Sequence, residues 1–541
     1  MLKIGWAERD ITTYGPAYIP GFFNMRISRG VIDPVFTTAL VVEDGNDIAI
    51  FLSVDTCVMR SFLLDEIRAK TKRKNPEIPV EKILASAMHQ HTAPSHYYDG
   101  GEIDECLYDI YTKEEIDKIL EGYIPGSNMV VPRDGVVIES SDKYRAFLSD
   151  QASDAICEAY ASRKESGIAY GYGYGVVAHS RRTVYFDDTS LRPGAQSDPL
   201  TSLHGHARMY GETNDDNFAS FEAGENHYVN IMYTFDKDKK LTGAIINIPC
   251  PSQNSEGEAD CHITADYWCD VKKAIRARHG DIFILSQCAA GGDLSPHLLY
   301  YKDARLRRFR LKYGLSEAKG TIDEKMAAGG AMHPAGTRVE ELERREIGER
   351  IASCFDEVLS WAKNDIRTEA EICHKVETVE LSRRIITDEE YRFCLDQLEA
   401  LKDEEYRFDQ GSSIDNLDYN STLKSKRARF MGAINRYKTQ KENPKKKMEL
   451  HAIKIGDIAF ASNQFELYMD YMHRIQARSP FEQTFVVQLS GQPGMDGGSY
   501  LATERAVENR GYSASMFCNT VSPKGGQELV EATLKALREI K

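Results

Sequence analysis

Three times in 541 residues, at 37–54, 228–248 and 449–462, two β-rich runs flank a short polar turn. The turns are Asp44-Gly45-Asn46-Asp47, Asp236-Lys237-Asp238-Lys239 and Gly456-Asp457, residues that accept the backbone conformations a hairpin connection demands. Three such hairpins, with helical periodicity between them at Arg60 to Arg73, Lys143 to Arg163, Glu340 to Lys363, Glu389 to Leu401 and Gln527 to Ile540, predict a mixed α/β fold of central sheets flanked by helices. Further strands are expected at Ile83 to Met88, Gly167 to Val177, Ile282 to Gln287 and Thr484 to Leu489. No internal sequence repeat, coiled coil or low-complexity tract is found. A single catalytic domain over 1–541 is expected, with insertions at 100–135, 187–222 and 300–340 and a solvated helix plus loop across Asn416 to Lys447.

The strands release polar residues at their ends, where a rigid scaffold can gather groups from distant sequence. Ile83 to Met88 runs into His89-Gln90-His91, and if the chain stays extended both imidazoles face one way. Taken alone, an H-x-H pair is more often two hydrogen-bonded histidines than a metal site. Ile282 to Gln287 leads into Gly292-Asp293-Leu294-Ser295-Pro296, and Ile458 to Ser462 leads into Asn463-Gln464-Phe465-Glu466.

A formal net charge of -15 opposes attraction to nucleic acid or anionic lipid. No run is long and apolar enough to span a bilayer, and Met1 to Thr12 lacks the apolar stretch of a secretory signal, so a cytoplasmic location is expected. The 11 scattered cysteines without a C-x-x-C pair fit reduced thiols. The expected partner is a small-molecule substrate, and oligomeric state is left open.

Six short segments, in order, resemble the catalytic domain of the neutral/alkaline, non-lysosomal ceramidase family. Gly5-Trp6-Ala7-Glu8-Arg9-Asp10-Ile11-Thr12 is similar to its opening pattern, and Met88-His89-Gln90-His91-Thr92 to its T-H-T-H-S segment. Arg181 in Ser180-Arg181-Arg182, Gly292-Asp293-Leu294-Ser295-Pro296, Glu466 and Tyr500 in Ser499-Tyr500-Leu501-Ala502-Thr503 follow, with Tyr512 where a second substrate-side tyrosine is expected. The resemblance implies about one Zn²⁺ per chain held by His89, Glu466 and Tyr500. It implies substrate-side roles for His91, Arg181 and Tyr512, and an active-site position for Asp293 and Ser295.

Two departures qualify it. Where the family has its second zinc histidine the chain reads Asn247-Ile248-Pro249-Cys250-Pro251-Ser252-Gln253, leaving Cys250, His262, His204 or His206 as the fourth ligand. The second departure lies after the matched tyrosines, where the family's immunoglobulin-like domain is not expected in this chain.

The implied activity is zinc-dependent hydrolysis of an amide or ester of a small intracellular acyl compound, with metal-bound water as nucleophile and His91, Arg181 and Tyr512 as oxyanion donors. Ser295 has no G-x-S-x-G elbow around it, so Asp293 and Ser295 are expected to support the site, Asp293 by capping a helix or orienting His89. Plainer readings stand beside these: core packing for the tyrosines, a helix-start carboxylate for Glu466, a surface ion pair for Arg181 and an inert buried thiol for Cys250. Two rival functions are a carboxylate-based glycosidase and a non-catalytic binding protein derived from the enzyme.

Overall fold

The computed structural model describes residues 1–120, 137–195, 205–255, 261–313, 339–407, 413–494 and 498–541. It is a mixed α/β fold in which one structural unit occurs three times. Each unit consists of two antiparallel strands, a third strand closing a hairpin with the second, a helix, a fourth strand parallel to the third, and a second helix packed beside the first. In the first unit the strands are Lys3–Asp10, Phe36–Glu43, Ile48–Val54 and Ile83–Ala87, with helices Ser61–Lys74 and Ser141–Ala161. The second has Lys164–Tyr174, Tyr228–Asp236, Leu241–Ile248 and Phe283–Cys288, with helices Tyr267–His279 and Val339–Ala362. The third has Ile372–Ser382, Lys445–Ile455, Ile458–Ser462 and Gln483–Val487, with helices Met469–Gln476 and Pro523–Ile540.

The repeat is one of backbone topology, without the internal sequence repeat that would have announced it. A sheet strand requires only the right polarity pattern, so three copies of one topology can share a backbone with no recognisable shared sequence.

The first two units join edge to edge through Lys3↔Glu165 and Ile4↔Lys164 into an eight-stranded sheet, and the third forms a four-stranded sheet of its own. Their inner faces meet in one core that takes Trp6, Leu40 and Phe51 from the first unit, Met232 and Leu285 from the second, and Ile453, Phe460 and Phe485 from the third. The helix pairs cover the outer faces. Ile48–Val54 is therefore buried on both sides, which explains its unbroken apolar run. Ile372–Ser382 is an edge strand that alternates buried and half-exposed positions, and its charged outer residues hid it from the hydrophobic pattern.

Within each helix pair a buried or half-buried polar contact sets the alignment. Arg145 Nε donates to Glu66 Oε1 at 2.6 Å in the first, Arg344 Nε lies 3.3 Å from Asp270 in the second, and Arg474 donates to Gln527 at 2.9 Å in the third. Between units, Glu449 receives Arg68 at 2.7 Å, and it also receives His451, two residues along its own strand, at 2.9 Å. Burial alone would raise the Glu449 pKa, but these partners prevail and hold it down to about 2 against an ordinary 4.5. A depressed folded-state pKa contributes stability that is complete above the unfolded value and disappears as pH falls through the folded one. The Tm gap between wild type and Glu449→Gln should thus be widest at neutral pH and narrow steadily below pH ~4.5; a pH-independent gap in thermal melts would contradict this coupling.

Three connections depart from simple loops. The segments joining the first and second strands of each unit, 11–35, 175–227 and 383–444, are long excursions. The last carries helices Asp388–Ala400, opened by a Thr387/Glu390 capping box, and Ser413–Thr439. The second helix is more than a solvated segment: Phe430, Ala433 and Ile434 pack against Cys394 and Met516. Among the described residues no helix is long and apolar enough to cross a membrane.

Candidate active site

Within each unit the first, third and fourth strands run the same way, and residues that follow strands of all three units meet at one place. A cavity of about 590 Å³ lies among them. The first unit lines it with Cys57, Arg60, His89, His91 and Tyr97, the second with Arg181, Tyr210 and Gln253, and the third with Glu466, Tyr500 and Tyr512. The excursions supply its upper wall, Phe22 and Phe23 from the first and Arg429 from the third.

His89 does not continue the strand. Its φ of 67° is left-handed, costing a non-glycine residue roughly 1–2 kcal/mol, and the turn is held by its N–H donating to the Thr56 carbonyl at 3.0 Å. The expected extended H-x-H geometry is thus absent, yet the turn still brings the His89 and His91 rings to 4.9 Å. Gly21, at φ 109°, lies over His91 so closely that a Cβ would sit 2.5 Å from the ring.

The His89 ring is oriented by its Nδ1, 2.8 Å from the Cys57 carbonyl. A carbonyl only accepts, so Nδ1 carries a proton and Nε2 is the nitrogen turned toward the cavity wall. It faces Glu466 Oε2 at 3.1 Å without making an aligned hydrogen bond. Burial works against a charged ring, but the Glu466 carboxylate raises the His89 pKa well above its ordinary value, so this carboxylate favours a proton or a cation at Nε2. Glu466 is fixed beside Tyr500 by the short parallel pairing Glu466↔Tyr500, possible because Gly498 passes over the Gln464 carbonyl where a Cβ would come within 1.9 Å.

Arg181 is fully buried and ties the wall together. Its guanidinium donates to the Gly292 carbonyl at 2.9 Å, Gln253 Oε1 at 3.0 Å and the Tyr500 hydroxyl at 3.3 Å, and lies 3.5 Å from Glu466. With Gln253 Oε1 thus engaged, its Nε2 is the group that donates to His91 Nε2 at 2.9 Å, leaving Nδ1 as the His91 nitrogen that carries a proton. Burial would raise Glu466, but His89 and Arg181 hold its pKa down to about 2. Burial pushes Tyr500 and Tyr512 up, so both keep their phenolic protons.

The remaining sequence candidates sit elsewhere. Asp293 Oδ1 accepts the Met469 N–H at 2.9 Å, at the start of helix Met469–Gln476, while its carbonyl accepts the Arg181 N–H at 3.1 Å. It thus clamps the arginine strand to the Glu466 segment from outside the cavity wall. Ser295 Oγ accepts the His297 N–H at 3.0 Å. Cys250 points its thiol at the Val177 carbonyl, 3.2 Å away, and does not line the cavity. His262 pairs with Gly30 in a two-residue strand, His206 is exposed beside the Tyr185 carbonyl, and His204 lies outside the described residues.

The sulfur that does meet the histidines is Cys57: one ligand atom each from Cys57, His89 and His91 lie within 4.8 Å of one another. Burial opposes ionisation of this thiol, yet the two imidazoles lower its pKa to about 6. Cys57 went unnoticed in sequence because an isolated cysteine has no spacing signal. Its position just past Val54, at a strand exit, was the available clue.

No protein-family model and no curated protein sequence matches this chain. Among solved structures, the neutral ceramidase from Pseudomonas aeruginosa superposes with a TM-score of 0.61 at 14% identity, over 100% of this chain and 74% of that one. This chain has the neutral ceramidase fold. A structure described as ceramidase complexed with C2 superposes equally, with TM-score 0.61, 15% identity and 75% of its length covered. At such identity the shared neutral ceramidase fold is a statement about backbone, and the chemistry has to be argued from the cavity.

Imidazole nitrogen, carboxylate, phenol and thiol are a donor set suited to Zn²⁺. The inward Nε2 of His89, lacking an aligned hydrogen bond and facing a carboxylate, fits a cation at this position.

Proposed function

We propose that the protein is a metal-dependent amidohydrolase that cleaves the amide bond of a small acyl compound. The observation that carries this reading is the apposition of His89 Nε2 and Glu466 Oε2 at 3.1 Å in the cavity wall, with the Tyr500 hydroxyl and the Arg181 guanidinium on the same carboxylate. His89, Glu466 and Tyr500 would hold the metal, with Cys57, whose sulfur meets His89 and His91, as the candidate for the fourth place. A divalent cation bound there would supply Lewis acidity and bring the pKa of water from 15.7 to about 7. The chain's own groups do the rest. Arg181 fixes Glu466 and Tyr500, Gln253 orients His91, and His91 and Tyr512 offer N–H and O–H donors for the charge that develops on an attacked carbonyl. The fold supports the reading, since both neighbours are ceramidases by name and ceramide is an N-acyl amide.

The glycosidase alternative requires two carboxylates flanking one bond. Among the described residues the cavity wall carries one, Glu466.

The test is metal analysis of purified protein followed by chelation. About one zinc per chain is expected, with hydrolysis of short N-acyl amides lost on chelation and restored by Zn²⁺. Folded protein that is metal-free and fully active would refute the proposal. A metal-replete protein inactive on amides and esters would favour a binding role.

A further inference from the structure

The cavity is lined by three guanidinium groups, Arg60, Arg181 and Arg429, and one carboxylate, Glu466, in a chain whose net charge is -15. Arg181 is consumed by Glu466 and its neighbours. Arg429 is not: it forms no ion pair among the described residues, and its Nη1 is buried with no hydrogen-bond partner. Leaving a buried guanidinium N–H unsatisfied is costly, so such a group on a cavity wall is poised for an incoming acceptor.

Its placement is built. The guanidinium carbon lies 3.8 Å over the Phe23 ring and 5.7 Å from the Tyr512 ring, and Tyr512 is in turn edge-on to Tyr500 at 6.0 Å. The parent helix, Ser413–Thr439, is fastened on both sides of the cavity. Asn24 donates to Asp418 at 2.5 Å and the Met25 N–H to Ser421 at 2.9 Å, while Arg436 donates to the carbonyls of Asn519, at 2.9 Å, and Met516. Phe23 covers one guanidinium face and Tyr512 engages another of its N–H groups, so the group left for an incoming acceptor is Nη1, whose in-plane N–H donors suit a planar carboxylate.

Resting on the amidohydrolase reading, we infer that Arg429 is a specificity residue for the carboxylate of an anionic substrate, placing the substrate among N-acyl compounds with a free carboxylate, such as N-acylated amino acids. The acyl-amide bond would lie at Tyr500 and His89, and the carboxylate one aromatic ring further out.

The experiment is calorimetric titration of metal-replete wild type, Arg429→Met and Arg429→Lys with N-hexanoylglycine and its neutral counterpart N-hexanoylglycinamide. If a probe is turned over, kcat/KM is compared instead. A hydrogen bond to a charged group contributes about 1.5–3 kcal/mol, so wild type should prefer the carboxylate by at least ~10-fold. Arg429→Met should reduce that preference to near unity with the neutral probe unaffected, and Arg429→Lys should keep part of it. Equal affinity of wild type for both probes, or a preference unchanged in Arg429→Met, would overturn the inference. A retained carboxylate preference with no hydrolysis of either probe would refute the amidohydrolase reading alone.

Discussion

His89→Ala and Glu466→Gln are each expected to strip the protein of its metal and to lower kcat/KM on an N-acyl amide by more than about 100-fold. The bound rests on a comparison: groups that only hydrogen-bond to a metal ligand already cost 10- to 100-fold in affinity or activity when removed, and a ligand costs more. Glu466→Gln is the sharper variant. It keeps the shape of the side chain while removing the charge that faces His89 and Arg181. Cys57→Ser should fall between, keeping an oxygen donor near His89 and His91 in place of the softer sulfur. His206→Ala, on an exposed residue outside the cavity, should be silent. Metal content by elemental analysis, beside circular dichroism to confirm folding, reads all four. Full zinc occupancy in either His89→Ala or Glu466→Gln would show that the cation binds elsewhere or not at all.

Arg181→Met is expected to damage stability and activity together, and by different routes. Arg181 is buried, and its removal leaves the Gly292 carbonyl, the Gln253 amide oxygen and the Glu466 carboxylate short of a donor. Breaking a buried charge pair by deleting one partner typically costs about 3–5 kcal/mol. Freed from Arg181, Gln253 can also rotate its amide and release His91, so kcat should drop by about 10²–10³ if His91 donates to the developing oxyanion. Chemical denaturation and steady-state kinetics separate the two effects. A variant with wild-type stability would show that the guanidinium is balanced by solvent, and one with wild-type kcat would remove His91 and Arg181 from the chemistry.

The two departures from sequence expectation share one origin. The H-x-H pair was read as an extended strand because periodicity treats each residue through its own segment. The left-handed turn at His89 is imposed by the Thr56 and Cys57 carbonyls of a neighbouring strand exit. The fourth ligand was sought at Cys250, His262, His204 and His206 because those lie near the missing histidine along the chain. The sulfur that meets His89 lies 32 residues before it, just past the end of the adjoining strand.

What the amino-acid order determined by itself is the set of local elements: hairpins at polar turns, helices with an apolar stripe, and polar groups such as His89, Asp293 and Glu466 placed where apolar runs stop. These depend on interactions between residues a few positions apart, and such interactions leave a periodic mark. The threefold unit, the meeting of strand exits from all three units, the ring orientations of His89 and His91, and the bare Nη1 of Arg429 beside Phe23 were decided by the tertiary structure alone. Each depends on contacts between stretches tens to hundreds of residues apart, for which a single sequence carries no pattern.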